Sequence, residues 1–206
     1  MSGAGRQGAG AETVDSRLVA IAAEHLRRFG PKRVTVVGVA EAAGMTHANV
    51  YRYFPSKQHL LDAVVAQALR PVETLLADIA SAPDPADDKL ERLILALARD
   101  YRDLAESDSA VFALYVDATE ANRSIARRHR GRVRMLVGRV VDEGIATGTF
   151  EPRDREQALS LLTDALFRFT HPTAIRLDVD RPRDLLETRL AHVVRVALRA
   201  LASGLV

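Results

Sequence analysis

A chain of 206 residues with 48% hydrophobic but only 5% aromatic residues can bury a core of Ala, Leu and Val, a mixture that suits packed helices better than a sheet. It has no cysteine, which excludes disulfides, thiolate metal sites and thiol catalysis. The net charge of +2 is unevenly spread: Arg17 to Lys57 holds seven Lys/Arg against two acids, Asp84 to Glu120 ten acids against four bases, and Arg123 to Arg139 seven arginines and no acid.

In chain order, residues 1–12 are small and polar and read as a disordered tail, with no apolar targeting segment and no run long enough to span a membrane. A cytoplasmic protein is expected. The first helix is predicted over Val14 to Phe29, with Val14, Leu18, Ile21, Ala22, His25, Leu26 and Phe29 on its apolar face. Thr35 has cap chemistry for a short helix closed at Gly44 by the left-handed conformation. "THANVYRYF" is a second short helix ended by Pro55, and Ser56 caps a long fourth helix that should kink near Ala68 to Leu69 or restart at Pro71. Short helix, glycine turn and short helix make a helix-turn-helix pattern.

Beyond the loop "SAPDPADD" come helices over about 87–106, 109–118, 123–146, 153–170 and 182–202. The fold class is all-α with about nine helices. The expected domains are a helix-turn-helix DNA-binding domain at 13–60 and a larger helical effector-binding and dimerisation domain at 61–206.

The second helix of the motif carries the chemistry. A helix entering the major groove needs small polar side chains near its N-terminus to reach base edges, and hydroxyls or charges to hold phosphates. Thr46, His47 and Asn49 can donate and accept toward bases, while Ala48 is small enough to allow close approach. Val50 faces inward, and Phe54 packs between the sets of helices. Tyr51 and Tyr53 lie about 200° apart on a helix, so they cannot both be core on one narrow face. Their hydroxyls, with the Lys57 charge, suit phosphate oxygens.

The stretch "VTVVGVAEAAGMTHANVYRYFPSKQHLLDAVV" resembles the DNA-binding domain of the tetracycline-repressor (TetR) family through Thr35, Ala40, Ala43, Gly44, Tyr51, Phe54, Ser56, Lys57, Leu60 and Leu61. The resemblance implies a homodimer that reads a palindromic operator in double-stranded DNA and represses transcription until a small-molecule effector releases it. Carried over by position, it places Thr46, His47, Asn49, Tyr51 and Tyr53 on DNA, with Thr35 and Lys57 on phosphate. Val37, Gly38 and Ala42 replace residues the family often has as polar or charged, leaving Arg33 and the arginines of the first helix as substitutes. Gly38 also costs about 1 kcal/mol of helix propensity relative to Ala.

In the larger domain, Leu159, Leu162, Leu166 and Phe169 on one helix and Leu186, Leu190, Val193, Val194, Ala197, Leu198 and Leu201 on the last form stripes for a four-helix dimer interface. An effector of unknown identity would meet Tyr101, Phe112, Tyr115, Met135, Thr163, Phe167 and His171. The arginine run suggests either an anionic effector or a solvated face paired with the acidic segment before it. Effector binding is expected to tilt the fourth helix, so that two recognition helices no longer match half-sites about one DNA turn apart.

Two other readings compete with this one. The six histidines lack H-x-x-x-H or H-E-x-x-H spacing, and no Gly-x-Ser-x-Gly or phosphate-cradling loop is present, so no enzyme, metal site or cofactor is expected. The alternative function is a DNA-binding protein whose larger domain binds another protein; a closed, apolar-lined cavity favours sensing, whereas a filled core with an exposed apolar patch favours that partner.

Overall fold

A computed structural model describes residues 13–205, so the expected tail at 1–12 lies outside the described residues. Among the described residues there are ten helices and no strand: α1 (Val14–Phe29), α2 (Val36–Ala43), α3 (His47–Tyr53), α4 (Lys57–Ser81), α5 (Ala86–Ser107), α6 (Ser109–Glu120), α7 (Ser124–Ala146), α8 (Arg155–Thr170), α9 (Pro172–Leu177) and α10 (Arg183–Ala202). The chain divides into two compact units, with the division between Val64 and Val65, inside α4.

In the first unit, local chemistry sets each helix end. Thr13, Thr35 and Thr46 each accept a backbone N–H of the first turn of α1, α2 and α3, giving those otherwise orphaned donors a partner. Gly44 takes the left-handed conformation (φ 66°), and its N–H and that of Met45 return to the last carbonyls of α2. Ser56 accepts from the His59 N–H at the start of α4. Arg17 Nη2 donates to the Ala43 carbonyl at 3.1 Å, tying α1 to the end of α2. Leu18, Leu26, Val34, Val39, Val50 and Leu60 are fully buried here. The inward face of α1 is Leu18, Val19, Ala22, Ala23 and Leu26, whereas Val14 and Phe29, expected on it, are exposed. Phe29 instead meets its own helix, edge-on to His25 and under the Arg28 guanidinium.

Of the two outcomes expected at Pro71, the restart does not occur: α4 is one helix of 25 residues with that proline inside. A single missing hydrogen bond is offset by the burial of Leu69, Val72 and Leu76 around it, each worth about 1.5–3 kcal/mol. The tenth helix is α9, where "HP" was expected only to end α8. Pro172 occupies the first position, where its fixed φ favours a helix and its missing N–H leaves no donor to satisfy.

In the second unit α5 is central, packing against α6, α7, α8, α9 and α10. Arg102 on α5 holds the turn before α10: its guanidinium donates to the carbonyls of Asp178 (2.9 Å), Val179 (2.6 Å) and Arg181 (2.9 Å). Lys89, only 2% exposed, reaches the Ala82 carbonyl and Glu143 on α7. Two arginines of α7 find acids on other helices than those of the preceding acidic segment. Arg132 pairs with Glu73 and Arg134 with Glu156, while Asp103, Glu106 and Glu120 pair with Arg183, Arg102 and Arg176.

Candidate DNA-binding helix and effector cavity

Helix α3 has seven residues, of which only Val50 is buried. His47, Ala48, Asn49, Tyr51, Arg52 and Tyr53 are all exposed, and both tyrosines keep nearly half their surface open (47% and 46%). One small apolar anchor therefore holds a helix whose remaining sides are free. Phe54, 8% exposed, is the packing ring of the stretch.

Three residues expected on DNA also hold the motif together. The hydroxyl oxygens of Thr35 and Thr46 accept from Gly38 N (3.0 Å) and Asn49 N (3.3 Å), which leaves each hydroxyl proton free to donate outward. Gly38 fits this arrangement, since a β-carbon there would come within 3.1 Å of the Thr35 hydroxyl. Lys57 Nζ donates to the carbonyls of Pro31 (2.6 Å) and Lys32 (3.3 Å), closing the turn between α1 and α2 with its charge still at the surface. Arg33 is exposed in that turn.

The second unit holds a largely apolar cavity of about 500 Å³, partly open to the surface, among α5, α6, α7, α8 and α9. Leu93, Ile94 and Leu97 of α5 and Leu159, Leu162 and Leu166 of α8 form much of its wall. Of the residues expected there, Tyr101, Tyr115, Thr163, Phe167 and His171 line it. Phe112 is buried behind Tyr115, in edge contact at 6.4 Å, and Met135 lies on the outer side of α7, 61% exposed. The sequence reading missed Thr119, Thr170 and the arginines Arg127, Arg130 and Arg134, which the i, i+3, i+7 spacing of α7 brings to one rim.

A buried chain of hydrogen bonds leads from this cavity to α4. The Tyr115 hydroxyl donates to that of Tyr101 (3.2 Å), which meets His129 Nε2 (2.5 Å); His129 Nδ1 meets Glu73 Oε1 (2.7 Å), and Arg132 holds the other carboxylate oxygen (2.8 Å). Burial pushes the His129 pKa down, against the opposing pull of Glu73, so the ring is neutral. Burial also works to raise Glu73, but bonds from His129 and Arg132 outweigh it and hold the carboxyl below its ordinary range. A neutral imidazole beside a carboxylate carries its proton on Nδ1, which leaves Nε2 to accept from Tyr101. Burial raises Tyr101 well above its ordinary value and Tyr115 to about 12, so both phenols stay protonated as donors. The histidine count had included His129 without a role, and Glu73 was not singled out at all.

The stripes expected to pair two subunits lie mostly inside the chain. Leu159, Leu162, Leu166, Phe169, Leu190, Val194, Ala197 and Leu201 are buried within it, and Leu186, Val193 and Leu198 are half-buried. Periodicity alone could not tell which face of α8 and α10 the body itself covers. Outward lies an apolar groove of about 300 Å³ between α8 and α10, with Leu161, Ala165, Val193, Val196 and Ala200 along it; Val196 is 68% exposed. No helix among the described residues is long and apolar enough to cross a membrane.

A helix-turn-helix motif followed by a cavity-bearing helical body is the plan of a ligand-responsive DNA-binding regulator. The family described as "Bacterial regulatory proteins, tetR family" matches residues 18–64, and "Tetracyclin repressor-like, C-terminal domain" matches residues 86–198. The chain belongs to the TetR family of DNA-binding transcriptional regulators. Among solved structures, it is similar in fold to a transcriptional regulator of the TetR/AcrR family from Thermobifida fusca, at 21% identity and a TM-score of 0.63 over 89% of this chain and 96% of that one. It is also similar to the TetR family regulator PfmR from Thermus thermophilus (22%, TM-score 0.55, 92% and 99%). A third similar fold is RolR, solved in complex with resorcinol (20%, TM-score 0.61, 92% and 89%). Among curated proteins, none matches this sequence.

Proposed function

We propose that the protein is a homodimeric repressor whose two α3 helices read a palindromic operator, and that a small molecule in the body cavity releases it. The observation that carries the DNA half is the exposure of every α3 side chain except Val50. In this reading His47 and Asn49 meet base edges, and the Thr46 hydroxyl, already the cap, donates outward to one. Tyr51, Tyr53, Thr35, Arg33 and Lys57 hold phosphates. The outward groove of α8 and α10 suits a two-fold four-helix contact.

The cavity favours a small effector over a protein partner, because a largely apolar space of about 500 Å³, partly open at its rim, falls within the usual range of ligand sites. The chain from Tyr115 to Glu73 supplies a path: a ligand that displaces the Tyr101 phenol removes a partner of His129, one that displaces Tyr115 removes the donor to Tyr101, and either shifts the hold of α7 on α4. α4 is also the helix that bears Lys57.

Selection of bound fragments from random duplex DNA tests the first half. The expected product is an inverted repeat with half-sites about one helical turn apart. Tyr51→Ala with Lys57→Ala should weaken binding to all sequences, whereas His47→Ala or Asn49→Ala should change which sequences are selected. An unchanged affinity in the Tyr51/Lys57 double variant at moderate salt would overturn the assignment. For the second half, filling the cavity with Thr163→Trp should alter operator affinity or abolish release by added small molecules.

A further inference from the structure

The polar groups facing the cavity differ in whether their protons are engaged. Thr119, Thr163 and Thr170 donate their hydroxyl protons to the carbonyls one turn back, Tyr115, Leu159 and Leu166. Tyr115 donates to Tyr101. These neutral groups keep only acceptor capacity toward a guest.

The arginines at the rim are the reverse. Arg134 is paired with Glu156, but Arg127 donates to the Asn122 carbonyl and Arg130 to the Asn122 side-chain oxygen at 3.2 Å, both neutral acceptors. Among the described residues, no carboxylate lies within ion-pairing distance of Arg127 or Arg130. Each guanidinium has five N–H donors in a fork that matches a carboxylate, so most of that capacity is open. His171, stacked on Phe167 at 4.4 Å, adds a buried Nδ1 with no protein partner at the same end of the cavity. The Arg130 charge acts electrostatically on both His171 and Tyr115.

We infer that the effector is an organic acid: a carboxylate held by Arg127 and Arg130, on a hydrophobic body that fills the space between α5 and α8. This rests on the cavity being the effector site. Carboxylate chemistry is favoured over phosphate because only two of the three rim guanidinium groups are without a carboxylate partner, and the other polar groups facing the largely apolar walls are neutral, which suits a small monoanion with a large apolar remainder. The arginine run of the sequence thereby divides: Arg132 and Arg134 are structural ion pairs, and Arg127 and Arg130 are the ligand's.

The test is isothermal titration of the full chain with 2-naphthoate and octanoate, each against its uncharged amide, and with octylamine. The acids should bind, the amides about ten- to hundredfold more weakly, and the amine not at all. Arg130→Gln and Arg127→Gln should weaken acid binding by a similar factor and leave amide binding unchanged; Arg128→Gln, the surface control, should change neither. Equal binding of acids and amides, insensitive to Arg127 and Arg130, overturns the anion assignment while the cavity stands as a site for neutral effectors. If none of these compounds binds, the anion assignment also fails, and the Thr163→Trp experiment then decides separately whether the cavity is an effector site.

Discussion

The two units of the chain use polar groups in opposite ways. In the first, they sit at helix ends and on the surface: Thr35 and Thr46 cap, Lys57 closes a turn, and α3 keeps a single buried residue, so its chemistry points outward. In the second, the polar groups are strung through the interior, and Tyr115, Tyr101, His129 and Glu73 run from a cavity wall to another helix. A surface that reads DNA needs rigid presentation, which local caps supply. A cavity that reports occupancy needs side chains whose partners can change, which a buried network supplies.

The sharpest way to break this comparison is to injure each core alone. Leu26→Ala in the first unit and Leu90→Ala in the second, both at fully buried positions, should each cost about 2–5 kcal/mol. Hydrogen exchange should show protection lost in residues 14–54 for the first and 86–198 for the second; loss in both regions from either change would mean the units do not respond separately. Next in size, His129→Ala leaves the Tyr101 hydroxyl and Glu73 without their buried partner and should cost about 1–3 kcal/mol in urea denaturation. Tyr115→Phe, which removes only the outer donor, should cost less.

Acid sharpens the same contrast. The His129 pKa is lowered by burial from its ordinary 6.5, so unfolding takes up a proton, and its contribution is present above 6.5 and declines as pH falls toward its folded pKa. Glu73, lowered from 4.5 by its bonds to His129 and Arg132 in spite of burial, adds stability that is lost as pH falls through its folded pKa. Thermal unfolding of the second unit should therefore weaken from about pH 6.5 downward, and His129→Gln should flatten the upper part of that decline. A smaller effect belongs to the caps: Thr35→Ala or Thr46→Ala should cost about 1 kcal/mol each, read by denaturation, with a larger loss in DNA affinity. Met135→Ala, on the outer side of α7, should change stability by less than about 0.5 kcal/mol and leave ligand binding unaltered.

Legibility in the sequence followed the range of the interaction. Thr35, Gly44, Thr46 and Ser56 act on backbone groups within a few residues, so their roles could be read from spacing, and helix ends were found within about two residues. The network was not legible because its partners are 28 and 56 residues apart, and nothing in Tyr101, His129 or Glu73 taken singly marks them as partners. The α8 and α10 stripes show an intermediate case. Periodicity identified an apolar face correctly as apolar, but Leu190 and Val194 pack within the chain while Val196, off the stripe, is exposed. α9 was hidden because the same Pro172 signals both a stop and a start.

The four tyrosines divide two and two: Tyr51 and Tyr53 are open on α3, and Tyr101 and Tyr115 are buried at the cavity. With no tryptophan to mask them, they make the unlabelled protein its own spectroscopic probe. Emission from the exposed pair will be quenched by a soluble quencher and by stacking or contact with DNA, whereas the buried pair will be shielded from the quencher and will answer to a guest in the cavity. Emission recorded with and without the quencher thus apportions one band between the two pairs, and can show whether a guest in the cavity alters the response to DNA.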